Sequence, residues 1–279
     1  MTTLGILHPG SMGAAVAAQV VSAGTEVLWS PEGRSEATKD RATRAGLTAV
    51  DTITEMAHTA DVILSLCPPA NAVEVAHSVA AHSFSGVYVD GNAISPANVK
   101  AIGAIMASAG AQLVDGSVIG SPPSATKSPR LYLSGPEAPV EIVAGLFEGT
   151  TVNVITLQGG LGKASALKLS YSTFQKASRV LAAVSHALAR DWGVDEQLVD
   201  IARDRTSSYL AETTYIPKVA ARAWRWAPEM REAESSLAET SLPTELVAAA
   251  AAVMERWKDA KDLPMELPEA LERLHEMPD

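Results

Sequence analysis

Lys168 and, four positions on, Ser172 are the side chains best suited to chemistry, and both sit in a stretch of helical apolar spacing. Residues three and four apart share a helix face, so Gln175 and Arg179 extend the same polar stripe. An ammonium on the apolar side of a central helix is costly unless used. Burial draws its pKa down toward the range where it exchanges protons near neutrality. The alternative is a lysine that lays its stem on apolar surface and lifts its charge to solvent. Helix pattern alone leaves both open.

A second set of residues opens the chain. The apolar run Leu4-Gly5-Ile6-Leu7 feeds His8, Pro9, Gly10, Ser11, Met12 and Gly13, then an Ala/Val-rich segment to Ala23 and a second apolar run, Glu26 to Trp29. This reads as strand, turn, helix, strand. His8 stands where a GxGxxG turn has its first glycine. Gly10 allows a phosphate close to the backbone, and Gly13 allows close helix–strand packing. Residues 8–13 are therefore expected to hold a dinucleotide pyrophosphate at a helix N-terminus. The end of the second strand chooses between the nicotinamide cofactors. Ser30 replaces the acid that bonds a ribose 2′-hydroxyl, and Arg34 with Ser35 can hold a 2′-phosphate, while Glu32 argues the other way. NADPH is the expected cofactor, with NADH the alternative.

A third set lies at Asp115 to Pro123, where glycines and hydroxyls follow a strand, the usual ligand position in open α/β sheets. Ile119, Gly120 and Ser121 are its candidate substrate contacts. Trp224, Trp226, Glu229 and Met230 form an aromatic cluster that is either core or pocket. The six histidines lack metal-ligand spacing, so no metal is expected. There is no GxSxG or Walker A element, which leaves hydrolase and triphosphatase readings unsupported.

The elements that must position these groups follow from punctuation and periodicity. Strands are expected at Val62–Leu66, Val87–Val89, Gln112–Val114, Arg130–Leu133 and Val152–Leu157. Helices are expected at Asn71–Ala81, from Ser95-Pro96 to Ser108, and at Val140–Phe147. After Gly159 only helices are expected: a long one from Lys163 to Arg190, then Glu196–Leu210, Ile216–Trp226, Glu229–Glu239, Thr244–Ala260 and Pro268–Glu276. The fold class is thus an α/β, doubly wound, mostly parallel sheet of Rossmann type over 1–158, followed by an all-α domain over 159–279. The apolar seam of the long helix (Leu167, Tyr171, Phe174, Leu181, Leu188) predicts either a homodimer with interlocked C-terminal helices or a monomer that buries it internally.

A net charge of −10 argues against nucleic acid or an anionic membrane as partner. One cysteine, Cys67, excludes an intrachain disulfide and suits a reducing compartment. No signal peptide or membrane span is legible, so a cytoplasmic location is expected.

Together these residues resemble the superfamily of β-hydroxyacid dehydrogenases, 6-phosphogluconate dehydrogenase and imine reductases, over nearly the whole chain. Gly5 to Gly13 is similar to its cofactor signature. Cys67, Pro68 and Pro69 resemble its strand-end motif near the nicotinamide ribose, and Asp90-Gly91-Asn92 its next strand end. The resemblance implies that Asn92 belongs to the cofactor site, that Asp115 to Ser121 is the substrate loop, and that Lys168 is the catalytic lysine. Arg222 to Met230 resembles a subgroup whose C-terminal domain has no catalogued function. Two positions depart: Ile119 replaces the carboxylate-binding serine, and Ser172 replaces an asparagine.

The resemblance implies hydride transfer between the nicotinamide and a carbonyl or alcohol across a cleft between domains. Lys168 would move the proton, assisted by Ser172, on a substrate other than a simple 3-hydroxy acid, with Tyr171, Trp226, Glu229 and Met230 lining its site. Imine reduction is the second expectation, kept open by Tyr171 and Glu229. A non-catalytic NADP-binding protein is the third.

Overall fold

A computed structural model of the chain describes residues 2–204, 209, 212–239, 241–261 and 263–275. The elements run β1 (Leu4–Leu7), α1 (Ser11–Ser22), β2 (Val27–Trp29), α2 (Glu36–Arg44), β3 (Thr48–Ala49), α3 (Ile53–Thr59), β4 (Val62–Ser65), α4 (Ala72–Ala81), β5 (Val87–Asp90), α5 (Pro96–Ser108), β6 (Gln112–Ile119), β7 (Arg130–Ser134), α6 (Glu137–Gly145), β8 (Asn153–Thr156) and α7 (Lys163–Asp191). The helices α8 (Asp195–Arg203), α9 (Ile216–Ala220), α10 (Ala223–Glu239), α11 (Glu245–Met254) and α12 (Leu267–Glu272) complete the described chain.

The strands form one sheet in the order β3-β2-β1-β4-β5-β6-β7-β8, parallel except for the β6–β7 pair. Strand order reverses between β1 and β4, so a crevice opens at their carboxyl ends. Leu7, Ser65, Asp90 and Asp115 are register partners across four neighbouring strands. The loops that follow them start from one level. Strands near the middle are buried on both faces, as a doubly wound sheet requires. Leu4, Ile6, Val62, Leu64 and Val89 pack on one side with α1, and Ile63, Tyr88, Ile102 and Met106 on the other.

The α/β architecture follows the expected alternation, with three physical differences. The α2, β3 and α3 segment was not anticipated: α2 is mostly polar, and β3 is two exposed residues with no apolar signal. The β6 strand continues past Val114 to Ile119, because Asp115–Ile119 pairs antiparallel with β7. Part of the anticipated substrate loop is therefore strand. Pro228 does not divide two helices but lies inside α10, whereas Thr244–Ala260 does divide, at a 3₁₀ segment holding the non-helical Trp257. The Trp257 indole donates to Ala270 O at 2.9 Å, which fixes that break.

The chain falls into two compact units, Met1–Tyr171 and Ser172–Asp279, divided within α7. The described part of the second unit is helical, around a small core of Ala220, Ala223, Trp257, Ala260 and Ala270. Among the described residues no helix is long and apolar enough to cross a membrane.

Candidate functional site

The β1–α1 turn takes a glycine-type path through a histidine. His8 has φ +63°, the left-handed region that a side chain disfavours, and Gly10 N donates to His8 O at 2.7 Å. A Cβ on Gly13 would lie 2.8 Å from His8 O, so only glycine lets α1 approach the strand end this closely. Gly10 is the N-cap residue of α1, no side chain caps the helix, and its first turn carries no acid. Among the described residues no side chain or acid thus offsets the first amides, which fits a dinucleotide phosphate there. Pro9 is buried, Met12 packs against the core and Ser11 is exposed.

A cleft of about 450 Å³ opens beside this turn, lined among others by His8, Arg34, Ile53, Pro68, Asn71 and Glu74. It lies at the carboxyl ends of β1, β2 and β4, where strand order reverses. Burial, with the Arg34 charge adding to it, pushes the His8 imidazole down to about 4. The ring is therefore neutral near pH 7, and its Nδ1 is buried without a hydrogen-bond partner among the described residues. Ser30 Oγ accepts from Glu32 N at 3.4 Å, and Ser35 Oγ lies 3.1 Å from Thr38 Oγ1. Arg41, which the sequence analysis did not single out, donates from Nε to Pro9 O at 3.3 Å and from its terminal guanidinium nitrogen to Thr38 Oγ1 at 2.9 Å. Nothing in its neighbours along the chain signals that reach.

The next two strand ends are tied by Asn92. Its Oδ1 accepts from Cys67 N at 2.7 Å, and its Nδ2 donates to Asp90 Oδ2 at 2.9 Å and to Ser65 Oγ at 3.2 Å. Its backbone N donates to Asp90 Oδ1 at 3.1 Å. The loop carrying Cys67, Pro68 and Pro69 is thereby fixed to the end of β5. Burial pushes the Cys67 thiol up. Burial also pushes Asp90 up to about 6 despite the Asn92 hydrogen bonds, with the negative Asp115 contributing.

Lys168 lies in the second turn of α7 and is half-buried. Its Nζ donates to Val118 O at 2.6 Å. Val118 directly precedes Ile119, Gly120 and Ser121, so the fold brings the candidate lysine to the candidate substrate segment. Gly120 has φ +130°, and a Cβ there would meet Pro129 at 3.2 Å, so this bend requires glycine. Tyr171 is partly exposed at the end of the first unit. Ser172, Trp226 and Met230 are half-buried within the second, and the Glu229 side chain lies outside the described residues. Trp224 is exposed, with Lys261 Nζ 4.3 Å from its ring centroid, a surface cation–π pair rather than core.

An uncapped helix start after β1, a cleft at the sheet's switch point and a lysine delivered to the end of β6 define a Rossmann-type, NAD(P)-binding protein of the oxidoreductase class. Residues 3–159 match the NAD binding domain of 6-phosphogluconate dehydrogenase, and the chain belongs to that family. Residues 189–257 match a domain of unknown function, DUF1932. No curated protein matches the sequence. Solved structures of the same fold include an imine reductase of Streptomyces aurantiacus (17% identity, TM-score 0.74, covering 97% of this chain and 99% of that one). Another is 3-hydroxyisobutyrate dehydrogenase of Mycobacterium tuberculosis (21% identity, TM-score 0.64, covering 99% and 98%). A third is a reductive aminase of Aspergillus terreus solved with NADPH (18% identity, TM-score 0.72, covering 98% and 99%).

Proposed function

We propose that the protein is an NADPH-dependent oxidoreductase acting on a carbonyl–alcohol pair, with Lys168 as the proton donor and acceptor. The observation that carries this reading is the Lys168 Nζ to Val118 O hydrogen bond at 2.6 Å, which holds an ammonium where an α/β sheet presents substrate. The nicotinamide, when bound, supplies or accepts the hydride. The chain does the rest. The α1 amides and Gly10 hold pyrophosphate, and Arg34 with Ser35 holds the 2′-phosphate. Lys168 protonates the nascent alkoxide in reduction and takes the proton in oxidation. Gly120 and Ser121 offer polar contacts, with Ser172 four residues beyond Lys168 in α7 as an auxiliary. Ile119 offers a carboxylate no hydrogen bond, which supports a substrate larger and more apolar than a simple 3-hydroxy acid.

Lys168→Ala should lower turnover by about 100-fold or more while NADPH binding survives. Unchanged turnover would overturn the reading. Reduction of a C=N bond is the second reading, favoured by the closer fold match to the imine reductase and the reductive aminase. A panel of ketones and cyclic imines followed by NADPH absorbance separates the two. Binding of NADPH with no turnover on either class would favour a non-catalytic role. We place the enzyme in the cytoplasm as a homodimer. Partial exposure of Leu167, Tyr171 and Leu181 along α7 supports a partner helix there, and a monomeric mass by light scattering would reject the dimer.

A further inference from the structure

The β6 strand touches the start of α7 at two points. At the far one, Val118 O accepts from Lys168 Nζ. At the near one, three residues earlier on the strand and three earlier on the helix, Asp115 meets Ser165. Asp115 Oδ1 accepts from Ser165 Oγ at 2.6 Å. Its Oδ2 accepts from Gly162 N at 3.0 Å, Ser165 N at 3.1 Å and Ser134 Oγ at 2.9 Å. Ser134 Oγ in turn accepts from Ala164 N at 3.1 Å. Asp115, Ser134, Ala164 and Ser165 are all fully buried.

This is an N-cap delivered from a strand about fifty residues away in the chain. Gly162, next to the helix start, has no side chain to do the task. It sits at φ +95° against Pro96, where a Cβ would come within 3.1 Å. The α1 start is uncapped, while the α7 start is filled by a carboxylate. The first therefore suits an anionic ligand, and the second is closed to one.

We propose that Asp115 is a positioning residue for catalysis. Its carboxylate sets the depth and rotation of the first turn of α7 on β6, so that Lys168, just under one turn further, delivers its ammonium to Val118 O. The proposal rests on the reading of Lys168 as the proton-transfer group. Four donors converge on the two carboxylate oxygens. An asparagine has one acceptor oxygen and would turn an amino group toward donors. Neutral replacement therefore releases the helix start rather than merely weakening it.

The test measures Lys168 directly. The folded protein is acylated with acetic anhydride, and peptide mass spectrometry gives the labelling rate of Lys168 relative to exposed Lys100 of the same unit. In Asp115→Asn the Lys168 ratio should rise severalfold, kcat on any panel substrate should fall by about 100-fold, and the NADPH dissociation constant should stay within about twofold. Ser165→Ala removes only one of the four donors and should shift both readouts the same way but less, with the Lys168 ratio rising about twofold and kcat falling about tenfold. It keeps the test open if Asp115→Asn does not fold.

A lowered melting temperature in Ser165→Ala or Asp115→Asn, with unchanged Lys168 labelling and unchanged kcat, would mean a structural role alone and overturn the proposal. Loss of the Lys168 proton role would show instead as an active Lys168→Ala. The labelling readout is independent of that result.

Discussion

Asp90 and Asp115 are register partners on adjacent parallel strands, both fully buried, yet their carboxylates sit in opposite environments. Asp115 collects two backbone amides and two serine hydroxyls. Among the described residues the Asp90 carboxylate receives hydrogen bonds from Asn92 alone, and it is pushed up to about 6, chiefly by burial. One carboxylate is thus tied to the start of α7 by four donors, and the other is pushed up toward the physiological range by burial.

Asp90 predicts a pH dependence. A carboxyl raised in the fold binds its proton more tightly there than in the unfolded chain. Its contribution to stability is complete at low pH and is lost as pH rises through about 6. The wild-type melting temperature should therefore decline relative to that of Asp90→Asn as pH goes from 4.5 to about 6.5, by a few degrees. A carbon-13 NMR titration of the Asp90 carboxyl should show a midpoint near 6.

His8 carries the opposite sign. Its imidazole is held down to about 4, so the unfolded chain takes up a proton first as pH falls. Stability from the neutral ring is complete above about 6.5 and is lost toward pH 4. His8→Gly removes that dependence and relieves a left-handed backbone costing about 1 kcal/mol. The melting-temperature difference should move in the variant's favour as pH falls from 6.5 to about 4.5. Because the Asp90 and His8 effects oppose each other over one window, only differences between variant and wild type resolve them.

Arg34 and Arg41 should separate by cofactor. Arg34 lines the cleft, and Arg41 holds the Pro9 carbonyl of the turn. Arg34→Ala should raise the NADPH KM about tenfold or more and leave NADH unaffected, through loss of charge-assisted hydrogen bonds to the 2′-phosphate. Arg41→Ala should weaken both cofactors alike, because it loosens the shared turn. Fluorescence titration with each nucleotide distinguishes the patterns. An unchanged NADPH KM in Arg34→Ala would sink the NADP preference.

Gly13→Ala tests the turn itself. The added methyl would sit 2.8 Å from the His8 carbonyl, a backbone atom that cannot swing aside. A loss of about 1–3 kcal/mol is expected by chemical denaturation, with weaker binding of both nucleotides.

Much of the fold was legible because its signals are local. Buried strands such as Val62–Ser65 read as apolar runs bounded by breakers, and Ser95-Pro96 announces α5, where Ser95 Oγ does accept from Asn98 N at 3.2 Å. The α2–β3 stretch was not legible, because short, mostly exposed elements carry little periodicity, whereas α3, which buries Met56 and Ala57, had a local signal that was missed: Thr52 caps it by accepting from Glu55 N. The extension of β6 was not legible either, since Asp115–Ile119 becomes strand only through pairing with β7.

By itself the amino-acid sequence determined the residue types of the site: a glycine-type turn before a helix, a strand-end Cys-Pro-Pro, and a lysine at helical spacing from a serine. These depend on neighbours along the chain and on backbone permissions that travel with residue identity. Only the tertiary structure decided which of them meet. Lys168 and Val118 are fifty residues apart, as are Ser165 and Asp115, and Arg41 reaches Pro9 across thirty-two. Contacts of that range are set by strand order and by the packing of helices on the sheet, where geometry replaces sequence distance.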